Sequence, residues 1–542
     1  MNGRPWTIAL ICIAGGALFF ASLPTLWPLA RTDLVASPND LRSQARSFLE
    51  GRGFDLTGYR SARQLVVHTA PLDYVDRELG RERAQSQITA GLPLVYYRAT
   101  FKKPGEVVWY SVGVHPERGI VGWTKSVPED YAGARISIAV ARELAREALS
   151  GGLGLDPAEL RERSASTSEQ EERRTHSIGY ERTISEEPKL DERISITVSG
   201  DEVTAAVRRL RVPDEASRKA RAREAPGVAL ETFGFALLAA LIVGAFLVFL
   251  VRLQRGSVVL RRAALWPGIV FFCLLATYAL ETASLFGYWE PLWPQWVSNL
   301  RYLVLRAVQQ AWLLVLLLAV VAAGDALDRE LGAGRGSSLW TLGRGGFLDP
   351  AVARASGNGF LVGLLCGGAM AGAVILLQTV AGAVTSIQPR GFFFYTLNSA
   401  SPAATSLLFF LGVALAEELG YRFFAGSWLL KLTGRRWLAV LAPAIVYGLA
   451  HTRLDFLPPA EPFWGRAFVL TAVGCVWGWA FFRYDALTVV LSHFTADLFI
   501  FNWPRLASGE PAAVAVSVAT ICVPLLPFLI ARVRARVRFA SG

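Results

Sequence analysis

The sequence predicts a mainly α-helical, polytopic transmembrane bundle of about ten spans, with an N-terminal extracytoplasmic α+β domain. Three observations predict it. Hydrophobic residues occupy 53% of the 542 positions and gather in blocks of bilayer-crossing length. One long polar stretch, from Arg31 to about Pro226, interrupts them and alternates like paired strands. Arginine collects beside the apolar blocks, as in the cytoplasmic anchors of membrane proteins.

The first block, Trp6 to Ala30, is too long for the apolar core of a signal peptide and is followed by no small-x-small cleavage site. Residues 1–30 therefore read as an uncleaved anchor helix. Residues 31–227 follow as the α+β domain, with an internal repeat over 31–130 and 131–215. Ala45 to Gly51 resembles Ala145 to Gly151, each a helical pattern stopped at glycine. Ser111 to Glu129 resembles Ser195 to Asp214, each a strand pair about a turn, at Arg118-Gly119 and Gly200-Asp201. The units resemble PepSY-type α+β modules; a generic sensor or spacer domain is the other reading. Glu169 to Arg174 reads as a solvated loop, and 214–226 as a charged stalk.

Apolar blocks then recur near 228–251, 263–283, 302–323, 357–384, 403–430, 437–452, 465–482, 485–501 and 511–531. Residues 228–350 hold the second to fourth spans and a flexible glycine-rich cytoplasmic loop at Gly332 to Gly336. Residues 351–535 form the core that carries the chemistry. Glu281 and Glu290 read as interfacial, and Arg306 as a side chain that reaches outward from its span.

The formal charge is +11. No basic segment interleaves with stacking aromatics outside the apolar blocks, which excludes a nucleic-acid surface. Arg252, Arg255, Arg261 and Arg262, then Lys431, Arg435 and Arg436, then Arg532 to Arg538 all fall on one side of a ten-span topology. That side is the cytoplasm, and the short-looped, arginine-rich style points to a bacterial inner membrane. Arg390, Arg453 and Arg466 oppose the trend. The five cysteines lie in apolar runs without a C-x-x-C pair, arguing against disulfides and a thiolate zinc site.

Glu417 and Glu418 stand side by side inside the block from Ala403 to Leu430. Charge at that depth costs at least ~2.5–3.5 kcal/mol per residue, so it persists where it has a function. The two histidine-bearing blocks that follow carry His451 and His493. Counted from the cytoplasmic ends of their helices, Glu417, His451 and Asp497 all lie roughly 20 Å deep, with His493 one turn below Asp497. Glu418 and Arg422, four apart, share a face and read as a structural ion pair. Glu417 points about 100° away, lacks a cationic partner on its helix, and is the candidate base. Tyr447 lies one turn from His451, and Asp497 one turn from His493, so each can orient its neighbour's ring.

Glu417-Glu418-x-x-x-Arg422, Tyr447-x-x-x-His451 and His493-x-x-x-Asp497 together resemble the three motifs of the CPBP intramembrane proteases. These include the CAAX prenyl endopeptidases and the bacteriocin-processing and lysostaphin-resistance-like proteins. The resemblance covers about residues 360–505. It implies an intramembrane endopeptidase, lying in the bilayer and acting on hydrophobic or membrane-associated peptides, prenylated ones among them. It implies that Glu417 and His451 activate water, that His493 and Asp497 bind the oxyanion or complete a metal site, and that Glu418 and Arg422 are structural. Two departures stand out: Tyr447 replaces the usual phenylalanine, and Asp497 replaces the frequent asparagine, which favours ordering of His493 or metal ligation. A Zn²⁺ held by Glu417, His451 and His493 and a metal-free glutamate mechanism are both compatible with these residues. Two other classes share the composition: a transporter with a Glu/His proton relay, and a non-catalytic immunity or scaffold protein.

Overall fold

A computed structural model describes residues 5–27, 38–186, 189–385, 398–454 and 457–541. Helix α1 (Pro5–Leu26) precedes the polar region. That region folds into one antiparallel sheet of eight strands in the order β1-β2-β3-β4-β8-β7-β6-β5. The strands are β1 (Arg60–Val67), β2 (Val95–Lys102), β3 (Trp109–His115), β4 (Gly119–Ser126), β5 (Arg161–Glu169), β6 (Arg174–Ser185), β7 (Leu190–Ser199) and β8 (Glu202–Arg211). Helices α2 (Pro38–Glu50), α3 (Thr69–Glu78) and α4 (Arg81–Thr89) accompany the first four strands, and α5 (Ile138–Glu147) precedes the other four. The halves join where β4 meets β8. A Cβ at Gly122 would lie 2.9 Å from the Ala206 carbonyl, so the seam needs glycine there. Both turns expected about Gly119 and Gly200 form, each glycine with positive φ (76° and 69°).

The charged stalk and the second span form a single helix of 41 residues, α6 (Asp214–Gln254), starting just beyond β8. Further helices follow: α7 (Leu260–Leu280), α8 (Thr282–Tyr288), α9 (Gln295–Glu330), α10 (Pro350–Ala381), α11 (Pro402–Thr433), α12 (Arg436–Ala450), α13 (Gly465–Arg483), α14 (Ala486–Ala507) and α15 (Pro511–Val537). Among the described residues nine helices are long and apolar enough to cross a membrane, where about ten spans were expected. The difference is α12, whose 15 residues rise only ~22 Å against a hydrocarbon core of ~30 Å. It stops at Ala450, and the chain turns at His451.

Small residues let the helices approach closely where no hydrophobic effect distinguishes protein from lipid. A Cβ at Gly368 on α10 would lie 2.4 Å from the Gly15 Cα on α1, so these two backbones touch. Next to that seam, Phe19 and Phe20 pack edge-on against Phe499 of α14. Gly368→Leu should push α1 off this face and lower stability by about 1–3 kcal/mol. Thermal unfolding in detergent would register the loss; an unshifted midpoint would contradict the contact.

The sheet domain is fastened to one end of the bundle. Lys102, buried, donates to the carbonyls of Phe286, Gly287 and Trp289 at 3.1, 3.1 and 2.7 Å. Burial pulls its pKa below the ordinary lysine value, and Glu290 opposes that shift. The Leu65 N–H donates to Asn398 at 2.7 Å, and Arg77 pairs with Glu461. At the far end Glu330 pairs with Arg252 and Lys431, and Asp325 with Arg262 and Arg329.

Several polar residues singled out in the sequence are held by specific partners. The Gly332 to Gly336 loop is pinned, because the buried Asp328 accepts from the N–H groups of Arg335 and Gly336. Glu281, at the end of α7, is buried, with Tyr302 donating to it at 3.4 Å. Arg306 lies over the rings of Tyr278 and Tyr302. Arg466 is an internal tie that donates to the Leu457 and Thr452 carbonyls, which explains why it escapes the arginine bias. Arg390 lies outside the described residues.

Candidate active site

Helix α11 runs regularly to Glu418 and then widens into a π-type stretch, Leu419–Gly426. Such widened turns recur at functional sites. Glu418 and Arg422 still meet, at 3.0 Å and each 2% exposed, so the expected ion pair forms. Arg422 also donates to the Gly474 carbonyl of α13, at 3.2 Å. The pair is not isolated: His493 Nδ1 lies 2.7 Å from the same Oε1 of Glu418. An ionised Glu418 can only accept, so that ring nitrogen carries a hydrogen. Trp477 stacks on the other side of the ring at 4.1 Å and 20°, held by its own bond to Ser492. His493 is thus fixed in position and tilt from α11 and α13 together.

His451 follows the last residue of α12, and its Nδ1 lies 2.7 Å from the Tyr447 carbonyl oxygen. A carbonyl cannot donate, so this nitrogen also carries its hydrogen. The ordering of His451 by Tyr447 therefore comes from the backbone carbonyl rather than the side chain. The tyrosine ring lies 4.3 Å from the imidazole.

With both Nδ1 atoms committed, the two Nε2 atoms turn toward carboxylates. His451 Nε2 is 3.4 Å from Glu417 Oε1, and His493 Nε2 is 3.8 Å from Glu417 Oε2 and 3.4 Å from Asp497 Oδ2. Glu417 Oε2 is buried without a hydrogen-bond partner of its own. These separations are too short for a water on the line between the atoms. They suit a shared proton, or a water that bonds both partners from the cavity side, since bare acceptors do not otherwise face each other at such range.

The group opens onto a cavity of about 500 Å³ bordered by Glu417, His451, His493 and Asp497. Its other walls are largely apolar and include Phe235 and Leu238 of α6, Trp312 of α9 and Met370 of α10. The structure brings together all seven residues singled out in the sequence. It adds Trp477, the bond from His493 to Glu418, and α6 as a wall of the cavity. A tryptophan in an apolar helix carries no sequence signal for such stacking.

The donor types suit Zn²⁺. Among the described residues, however, no group of three His, Cys, Asp or Glu side chains is placed so that it could hold a metal ion.

Residues 399–499 match the family model described as "Type II CAAX prenyl endopeptidase Rce1-like", about one fifth of the chain. The matched stretch contains Glu417, Glu418, Arg422, Tyr447, His451, His493 and Asp497. Comparisons with curated proteins and with solved structures gave no match. The match and the apolar helices support an integral membrane protein with a CAAX-protease domain, and in general an intramembrane endopeptidase acting on a peptide in a membrane.

Proposed function

We propose that the protein hydrolyses peptide bonds of hydrophobic or membrane-associated peptides, with Glu417 and His451 activating the attacking water. The observation that carries this reading is Glu417 standing between two imidazoles, each locked through Nδ1, at the mouth of an apolar cavity. A water bonded from the cavity side to both Glu417 and His451 gives up one proton to that pair while its oxygen attacks the carbonyl carbon. The developing oxyanion faces His493 Nε2. That nitrogen donates to it when the ring carries a second proton shared with Glu417 or Asp497, while Glu418, Trp477 and Asp497 hold the ring in place. The carbon–nitrogen bond then breaks as the stored proton passes to the departing amine. Asp497, an acceptor when ionised, orders His493 rather than donating to the oxyanion.

The chain divides accordingly: an anchor at 1–30, a tandem-repeat domain at 31–227, three spans at 228–350 and the protease core at 351–535. The symmetric strand order about β4 and β8 supports the repeat. The sheet and the arginine clusters occupy opposite ends of the bundle, which supports an extracytoplasmic domain on a bacterial inner-membrane protein. The largely apolar walls of the cavity support a hydrophobic peptide, prenylated or not, as the substrate.

Purified protein should cleave a quenched fluorescent hydrophobic peptide, and a zinc chelator should leave the rate unchanged. His493→Ala should slow cleavage by about 10²- to 10³-fold, as expected for loss of an oxyanion donor. A chelator-sensitive rate restored by Zn²⁺ would replace the metal-free mechanism. Proton-coupled solute uptake without any peptidase activity would displace the protease reading altogether.

A further inference from the structure

The sheet domain and the candidate active site are joined by one helix. Helix α6 starts three residues after β8 ends, at Asp214 against Arg211, and runs to Gln254. It lies outside the stretch that matches the protease family. Two of its residues reach the end of α12, where His451 sits. Glu231 accepts from the backbone N–H of Arg453 at 3.2 Å, and its other oxygen is 4.0 Å from the Arg453 guanidinium. One turn on, a Cβ at Gly234 would lie 2.5 Å from the Leu449 carbonyl carbon and 2.6 Å from the Ala450 nitrogen. The two backbones therefore touch immediately before His451. Glu231 also borders the same cavity as Glu417 and His451.

The position of this contact matters because His451 is not inside a helix. It caps α12, so no following helical turn constrains its backbone. Beyond it the chain is held from one side by Arg466, which donates to the Thr452 and Leu457 carbonyls. Glu231 grips the opposite partner, the Arg453 N–H, two residues past the imidazole. Without that acceptor the Arg453 N–H loses its bond to α6, and the turn keeps Arg466, its own local hydrogen bonds and the looser Arg453–Glu224 ion pair at 3.7 Å. Small displacements of a water-activating group cost much in rate, because a shift of about 1 Å can lower it about 100-fold.

We infer that Glu231 is a positioning residue for His451, supplied by the helix that descends from the sheet domain. This rests on the proteolytic reading of Glu417 and His451. It further makes the sheet domain part of the apparatus that sets the His451 geometry, since any tilt of α6 moves Glu231 and Gly234 with it.

The test uses full-length protein in detergent and the quenched hydrophobic peptide, with wild type, Glu231→Ala, Glu231→Gln and Glu231→Asp. Glu231→Ala should lower kcat about tenfold or more with KM within about twofold. Glu231→Gln keeps a carbonyl that accepts from the Arg453 N–H and should recover most of the loss; Glu231→Asp, one methylene short, should fall between. On a His451→Ala background Glu231→Ala should have no further effect on the residual rate. Amide exchange over residues 451–454, which needs no substrate, should quicken in Glu231→Ala and not in Glu231→Gln. Unchanged kcat and exchange in Glu231→Ala would overturn the inference, as would a glutamine variant no better than alanine. If Glu231→Ala fails to fold, the glutamine and aspartate variants decide it by the same comparison. Normal cleavage by Glu417→Ala and His451→Ala would instead defeat the underlying protease reading, a separate result.

Discussion

Glu417→Gln should stop hydrolysis while leaving the molecule folded. Glutamine matches the shape of glutamate and still fills the gap between His451 Nε2 and His493 Nε2, 3.4 and 3.8 Å away in the native site. It cannot accept the proton that the attacking water must shed. Loss of a positioned base removes about 10²- to 10⁴-fold in rate, and here His451 alone is left to compensate. Single-turnover cleavage of a hydrophobic peptide measures the effect, with an unfolding midpoint close to wild type as the control. Cleavage at the native rate would mean that Glu417 is a spectator and that the site's chemistry lies elsewhere.

Glu418→Ala should have the larger structural effect. Glu418 is 2% exposed and serves two buried partners through one oxygen, Arg422 at 3.0 Å and His493 at 2.7 Å. Removing it strands a buried guanidinium, which typically costs about 3–5 kcal/mol. The His493 N–H loses its acceptor as well, although the two losses share one network and do not simply add. The variant should therefore accumulate poorly, unfold at markedly lower temperature and lose activity. Glu418→Ala combined with Arg422→Leu removes the stranded charge, so stability should return in part while activity stays low. If the single variant were as stable as wild type, Glu418 would not be the keystone of the ring-holding network.

How much of this could be read from the chain depends on what sets each feature. The acidic pair at 417–418 is legible because charge in an apolar block is costly, and the two histidines because they sit on the blocks that follow. Helix rise gave their common depth, and the lateral contacts came only with the packed helices. The short reach of α12 was not legible, since hydropathy reports where apolar residues run and not where the helix stops. Strand β5, whose nine residues are all exposed, gives no apolar alternation to detect. Trp477 and Glu231 depend on how neighbouring helices are rotated against each other, which no local pattern encodes. Arg466 looked like a topological exception because its carbonyl partners, at Thr452 and Leu457, appear only once the chain has turned.

The contact between Gly15 and Gly368 has a consequence for biosynthesis. Helix α1 leaves the ribosome about 350 residues of synthesis before its glycine partner on α10. At about 5–20 residues per second, that is an interval of roughly 20–70 s. Through that time the sheet and the spans α6, α7 and α9 are made while the seam of α1 still lacks its α10 partner. The wall behind Phe499 closes late, after α14 has been made, so the reaction centre is assembled last and the chain spends most of its synthesis inert.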